Sequence, residues 1–62
     1  MVEFLSTKTI CKKAVYEALD KIGGPVDRIA KEGKQIFFYR DGCKVAKIFI
    51  VQGMAKVGMV IY

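Results

Sequence analysis

The stretch Lys34-Gln35-Ile36-Phe37-Phe38-Tyr39-Arg40-Asp41-Gly42-Cys43-Lys44-Val45-Ala46-Lys47-Ile48-Phe49-Ile50-Val51 decides the fold. Two runs rich in Val, Ile, Phe and Tyr flank Asp41-Gly42. That dipeptide tolerates positive φ at both central positions of a two-residue turn, so it predicts a β-hairpin. Glu32-Gly33 and Gln52-Gly53 stand 9 residues before and 11 residues after Asp41-Gly42 and read as weaker turns of the same kind. The spacing predicts an antiparallel meander with strands near 26–31, 34–40, 43–51 and 54–62. The first of these has an alternative as a short helix, because Pro25 could open one and Gly33 could end it.

Upstream the rhythm changes to the helical period. Ile10, Cys11, Ala14, Val15, Ala18, Leu19 and Ile22 form one apolar stripe, with Lys8, Lys12, Lys13, Glu17, Asp20 and Lys21 on the other side. Ser6 or Thr7 is placed to cap the start, Gly23 to end the helix in the left-handed conformation, and Pro25 to prevent its continuation. Lys13, Glu17 and Lys21 stand four apart, which makes weak ion pairs available. The expectation is a single small α+β domain, residues 1–62, with one N-terminal helix over about 7–22 packed on a three- or four-stranded antiparallel β-meander.

Two-residue turns fix register, and register assigns faces. With Asp41-Gly42 as a regular turn, Phe38 opposes Val45, Ile36 opposes Lys47 and Lys34 opposes Phe49. With Gln52-Gly53 as another, Phe49 opposes Lys56 and Cys43 opposes Tyr62. One face then gathers Lys34, Phe38, Arg40, Cys43, Lys47, Phe49, Lys56 and Tyr62. The other gathers Phe37, Tyr39, Lys44, Ala46, Ile48, Ile50, Val57, Met59 and Ile61, and is expected to be the core. One helix cannot cover both faces of a sheet, so the mixed face is left for a partner.

Composition narrows what that partner is. The chain has 62 residues, 11 Lys+Arg against 6 Asp+Glu, a net charge of +5, no His and yet 53% hydrophobic residues. So much apolar content excludes a disordered tail, and so short a chain excludes a multidomain enzyme. Residues 33–62 hold 5 of the basic side chains and only Asp41 as an acid, so the excess charge belongs to the sheet. Cations interleaved with aromatic rings suit single-stranded nucleic acid, with Lys34, Arg40, Lys47 and Lys56 on phosphates and Phe38, Phe49 and Tyr62 stacking on bases. The leading expectation is a small basic, non-catalytic protein that binds nucleic acid, DNA or RNA, and is a homodimer. The alternative is an interaction or assembly module whose mixed face is a homo-oligomer interface.

The absence of His, of a paired-carboxylate motif and of a Gly-rich phosphate loop gives no basis for catalysis, a metal, a cofactor or a small-molecule substrate. Cys11 and Cys43 show no C-x-x-C spacing and read as reduced, partly buried thiols, Cys11 buried on the helix stripe. Met1-Val2-Glu3-Phe4-Leu5 does not resemble a secretory leader, and the uncharged run Ile48–Ala55 is too short to span a bilayer, so a cytoplasmic location without membrane association is expected. The lack of Asn and His in a Lys-rich chain leans toward a thermophilic source.

Overall fold

The computed structural model describes residues 2–62. It is an α+β fold in which a five-stranded antiparallel sheet carries a single helix on one side. The strands are β1 (Val2–Phe4), β2 (Arg28–Glu32), β3 (Gln35–Arg40), β4 (Cys43–Val51) and β5 (Lys56–Ile61), and α1 spans Lys12–Ile22. Their spatial order is β1-β5-β4-β3-β2. β2 to β5 form the expected meander, and residues 28–32 are strand rather than helix. The helix is not N-terminal: β1 precedes it and pairs with β5 through Val2–Val60, Glu3–Met59 and Phe4–Gly58.

α1 begins at Lys12, five residues later than the expected start near residue 7. Cys11, in extended conformation, is the N-cap, and no side-chain hydrogen bond closes the cap. Ser6 is drawn elsewhere: its N–H donates to both Glu17 carboxylate oxygens (3.1 and 3.0 Å) and its Oγ to Oε1 (2.7 Å). Glu17 thus pins the incoming segment across the helix instead of pairing with a lysine four residues away. Lys21 reaches Glu3 on β1 at 3.9 Å, the one ion pair among the described residues. The helix ends as expected, with Gly23 at φ 68° and its N–H bonded to the Leu19 carbonyl.

Asp41 (φ 53°) and Gly42 (φ 79°) both take positive φ, the pattern of a type I′ turn, and Arg40 opposes Cys43 as expected. The register then departs from the sequence reading. Tyr39 opposes Lys44, but Phe38 opposes Ala46 and Ile36 opposes Ile48, because a β-bulge leaves Val45 without a partner on β3. One extra residue reverses the face of everything beyond it relative to β3. Phe38, expected on the mixed face, lies in the core, and Phe37, Tyr39 and Lys44, expected in the core, lie on the opposite side.

The Gln52-Gly53 turn is also longer than expected, with a four-residue connection from Val51 to Lys56. Two additional residues displace the pairs but preserve parity, so Ala46, Ile48, Val57 and Met59 all face the helix as expected. With Leu5, Ala14, Ala18 and Phe38 they make the core. Ala14 and Ala18, both fully buried, let the helix axis approach the sheet closely, while Ile10, Val15, Leu19 and Ile22 flank the contact. Cys11 is exposed, not buried, and so is Cys43, which shares the helix side with Arg40. Among the described residues, no helix is long and apolar enough to cross a membrane.

Candidate functional site

The helix packs on one side of the sheet, and the other side is open. Pairing across the strands sets out its rows: Arg28–Tyr39–Lys44, then Ala30–Phe37–Lys47–Val60–Val2, then Glu32–Gln35–Phe49–Gly58–Phe4, and finally Val51–Lys56. Four cations and four rings alternate over this surface. Each cation lies above a ring: Arg28 over Tyr39 at 4.6 Å, Lys44 over Phe37 at 4.3 Å, Lys47 over Phe49 at 5.5 Å and Lys56 over Phe4 at 5.2 Å. Such contacts contribute roughly 0.5–1 kcal/mol each where they are solvated. Their effect is to hold long, mobile side chains close to the sheet rather than extended into water.

Among the described residues, none of these four cations is bonded to a carboxylate within 4 Å. Glu32, at the far corner on β2, is the only acid in the rows, since Glu3 faces the helix and Asp27 and Asp41 lie beyond the strand ends, where the Asp27 carboxylate accepts the Asp41 N–H at 2.7 Å. The open face therefore carries a net positive charge, and no carboxylate among the described residues pairs with its four cations.

The rings differ in availability. Phe37 is only 9% exposed, covered by Lys44 and its neighbours, so it supports a cation more than it offers a surface. Phe4 is 45% exposed at the β1 edge. The Phe49 ring rests against β5 at Gly58, which has no side chain: a Cβ there would come within 3.0 Å of the ring edge. Tyr62, 62% exposed, follows β5 and continues its alternation toward the open side, its N–H bonded to the Val45 carbonyl at 2.9 Å.

Of the residues singled out from sequence, Lys47, Phe49, Lys56 and Tyr62 come together on this face. Phe38 does not, being wholly buried beneath the helix. Arg40 does not either. It lies on the helix side, where its Nε donates to the Pro25 carbonyl at 2.6 Å and its guanidinium fills the space beside Gly24. Lys34 sits in the β2–β3 turn, bordering a cleft of about 370 Å³ shared with Gln35, Phe49, Ile50 and Gln52, so it reaches the margin of the face. Arg28, Phe37, Tyr39, Lys44 and Phe4 belong to the face and were missed by sequence reasoning.

One signal could have found most of them. Lys44 and Lys47 are three apart in one strand, and a regular strand sends such residues to opposite faces. Keeping both out of the core requires an extra residue between them, and Val45 is that residue. No protein-family model, curated protein or solved structure matches the chain. The reading of the face therefore rests on its own chemistry. The thiol of Cys11, at the start of α1, has its pKa lowered chiefly by the backbone N–H of Ala14, but it lies across the molecule from this face.

Proposed function

We propose that the chain is a small non-catalytic nucleic-acid-binding protein that takes single-stranded DNA or RNA on the open face of its sheet. The observation that carries this reading is the set of four cation–ring pairs on the face the helix does not cover, with no carboxylate neutralising them. Phosphates draw Arg28, Lys44, Lys47 and Lys56 off their rings. The uncovered Phe4 and Phe49, with Tyr62, then offer π surfaces to unstacked bases, a contact contributing about 1–3 kcal/mol per base. Lys34 extends the cationic track at one margin. Stacking and phosphate contact are both tolerant of sequence, so the binding expected is broad in specificity.

Fluorescence anisotropy of labelled single-stranded oligonucleotides tests the reading. Four phosphate contacts give a slope of log K against log salt of about −2.8 for a single strand, which is a loss of about 50-fold between 50 and 200 mM salt. Lys47→Glu with Lys56→Glu removes two contacts, reduces the slope to about −1.4 and lowers affinity at every salt concentration. Absence of binding at low salt, or binding indifferent to salt, rejects the proposal. Loss of self-association in Phe49→Asp, with no oligonucleotide binding in the parent protein, would instead favour an assembly module.

A further inference from the structure

β2 is an edge strand with an unusual symmetry. Its sequence, Arg28-Ile29-Ala30-Lys31-Glu32, places a cation at one end and an acid at the other, with alanine at the centre. Arg28 and Glu32 share the open face but are four residues apart along an extended strand, about 13 Å, so they cannot pair with each other. Neither has an ion-pair partner among the described residues. Among the described residues, β2 pairs with β3 alone, and its outer side meets no other strand.

The two-residue turns on both sides of β3 decide which backbone groups point outward. They make Glu32–Gln35 and Arg40–Cys43 hydrogen-bonded pairs, and alternation from either turn assigns Arg28, Ala30 and Glu32 to the ladder with β3. Ile29 and Lys31 consequently direct their N–H and C=O groups away from the sheet.

We infer that β2 is a self-complementary docking edge, pairing antiparallel with β2 of a second copy about a two-fold axis at Ala30. In that register Arg28 opposes Glu32 of the second copy, and Glu32 opposes its Arg28, so both unpaired charges are matched across the axis. Ile29 and Lys31 of the second copy exchange their outward backbone groups, and the lysine stem lies over an isoleucine that is 46% exposed on the helix side. α1, packed over β4 and β5, is too far along the sheet to cover that isoleucine. Competing registers are worse. An axis at Lys31 sets two lysines directly opposite, and an axis at Ile29 leaves Arg28 and Glu32 against no opposite charge.

The two-fold axis of an antiparallel strand pair is perpendicular to the sheet, so both open faces end on the same side. The dimer is a ten-stranded sheet, twice the five strands of one copy, with one continuous cationic and aromatic surface. Edge pairing thereby removes an exposed strand edge, engages Arg28 with Glu32 of the second copy, and leaves Lys44, Lys47 and Lys56 of the open face free.

Light scattering coupled to size separation, without nucleic acid, tests this independently of what the open face binds. The parent protein is expected to approach twice the 6.9 kDa chain mass as concentration rises. Arg28→Glu and Glu32→Arg, each alone, set like charges opposite at both symmetric positions and weaken dimerisation by about tenfold or more. The double swap Arg28→Glu with Glu32→Arg restores the parental dimer. Ile29→Pro, which removes an outward N–H and no ladder bond with β3, gives a monomer whose circular dichroism matches the parent's. A parent that remains at the chain mass overturns the inference. So does a dimer that survives both single swaps, or one broken by Phe49→Asp alone.

Discussion

Gly58→Ala tests how the open face is built. The glycine has no positive φ, so alanine suits its backbone and, in the absence of contacts, would stabilise by about 0.4–1 kcal/mol through the unfolded chain. The contacts oppose this. A Cβ at residue 58 stands 3.0 Å from Cε2 and Cζ of Phe49 and 3.1 Å from Cγ2 of Val51, so the ring must lift. Overpacking of this kind costs about 1–3 kcal/mol, which leaves a net loss of about 1–2 kcal/mol. In a Phe49→Ala background the ring is gone and only the valine methyl remains close. There the same substitution should be neutral or slightly stabilising. Urea unfolding followed by far-ultraviolet circular dichroism on the four proteins of the cycle gives the coupling directly, provided the m-values agree. A coupling of about 1–3 kcal/mol is expected. Additivity within about 0.5 kcal/mol would refute the placement of the Phe49 ring over β5.

Deleting Val45 should preserve the fold, since the bulge residue has no partner on β3, its carbonyl instead accepting the Tyr62 N–H, and its removal leaves Lys44 and Lys47 facing outward as before; inversion of β4 by a regular ladder would unfold the protein instead, and circular dichroism distinguishes the two. Phe38→Ala should cost about 3–5 kcal/mol in denaturant unfolding, enough to unfold a domain of this size, because the ring is wholly buried. Glu17 has its carboxyl pKa lowered chiefly by the Ser6 hydroxyl, then by the Ser6 N–H, so its contribution to stability is present above the unfolded-state carboxyl pKa and is lost as pH falls through the lower folded-state value. Acid titrations of stability should therefore be shallower in Glu17→Gln than in the parent.

What the sequence made legible follows from parity. The Asp41-Gly42 turn was readable because its chemistry is local, and the stripe from Ala14 to Ile22 because the helix period is sustained. The faces of β5, and of β4 beyond the bulge, survived a longer loop than expected, since residues 52–55 add an even number of positions. β3 and the start of β4 did not, because the bulge at Val45 adds one, and a single residue exchanged Phe38 for Phe37, Tyr39 and Lys44 on the open face. β1 was unreadable for a different reason. Val2-Glu3-Phe4 is too short to show a period and becomes a strand only through β5. The late start of α1 depends on Glu17 capturing Ser6 eleven positions away, which no local rule anticipates.

Chemical-shift mapping of the backbone amides on addition of a single-stranded oligonucleotide tests the central claim most directly. The account predicts shifts concentrated at Phe4, Arg28, Lys44, Lys47, Phe49, Lys56 and Tyr62, with the amides of α1 unmoved. Shifts confined to the helix side, around Lys12, Lys13 and Arg40, or no shifts at low salt, would contradict it.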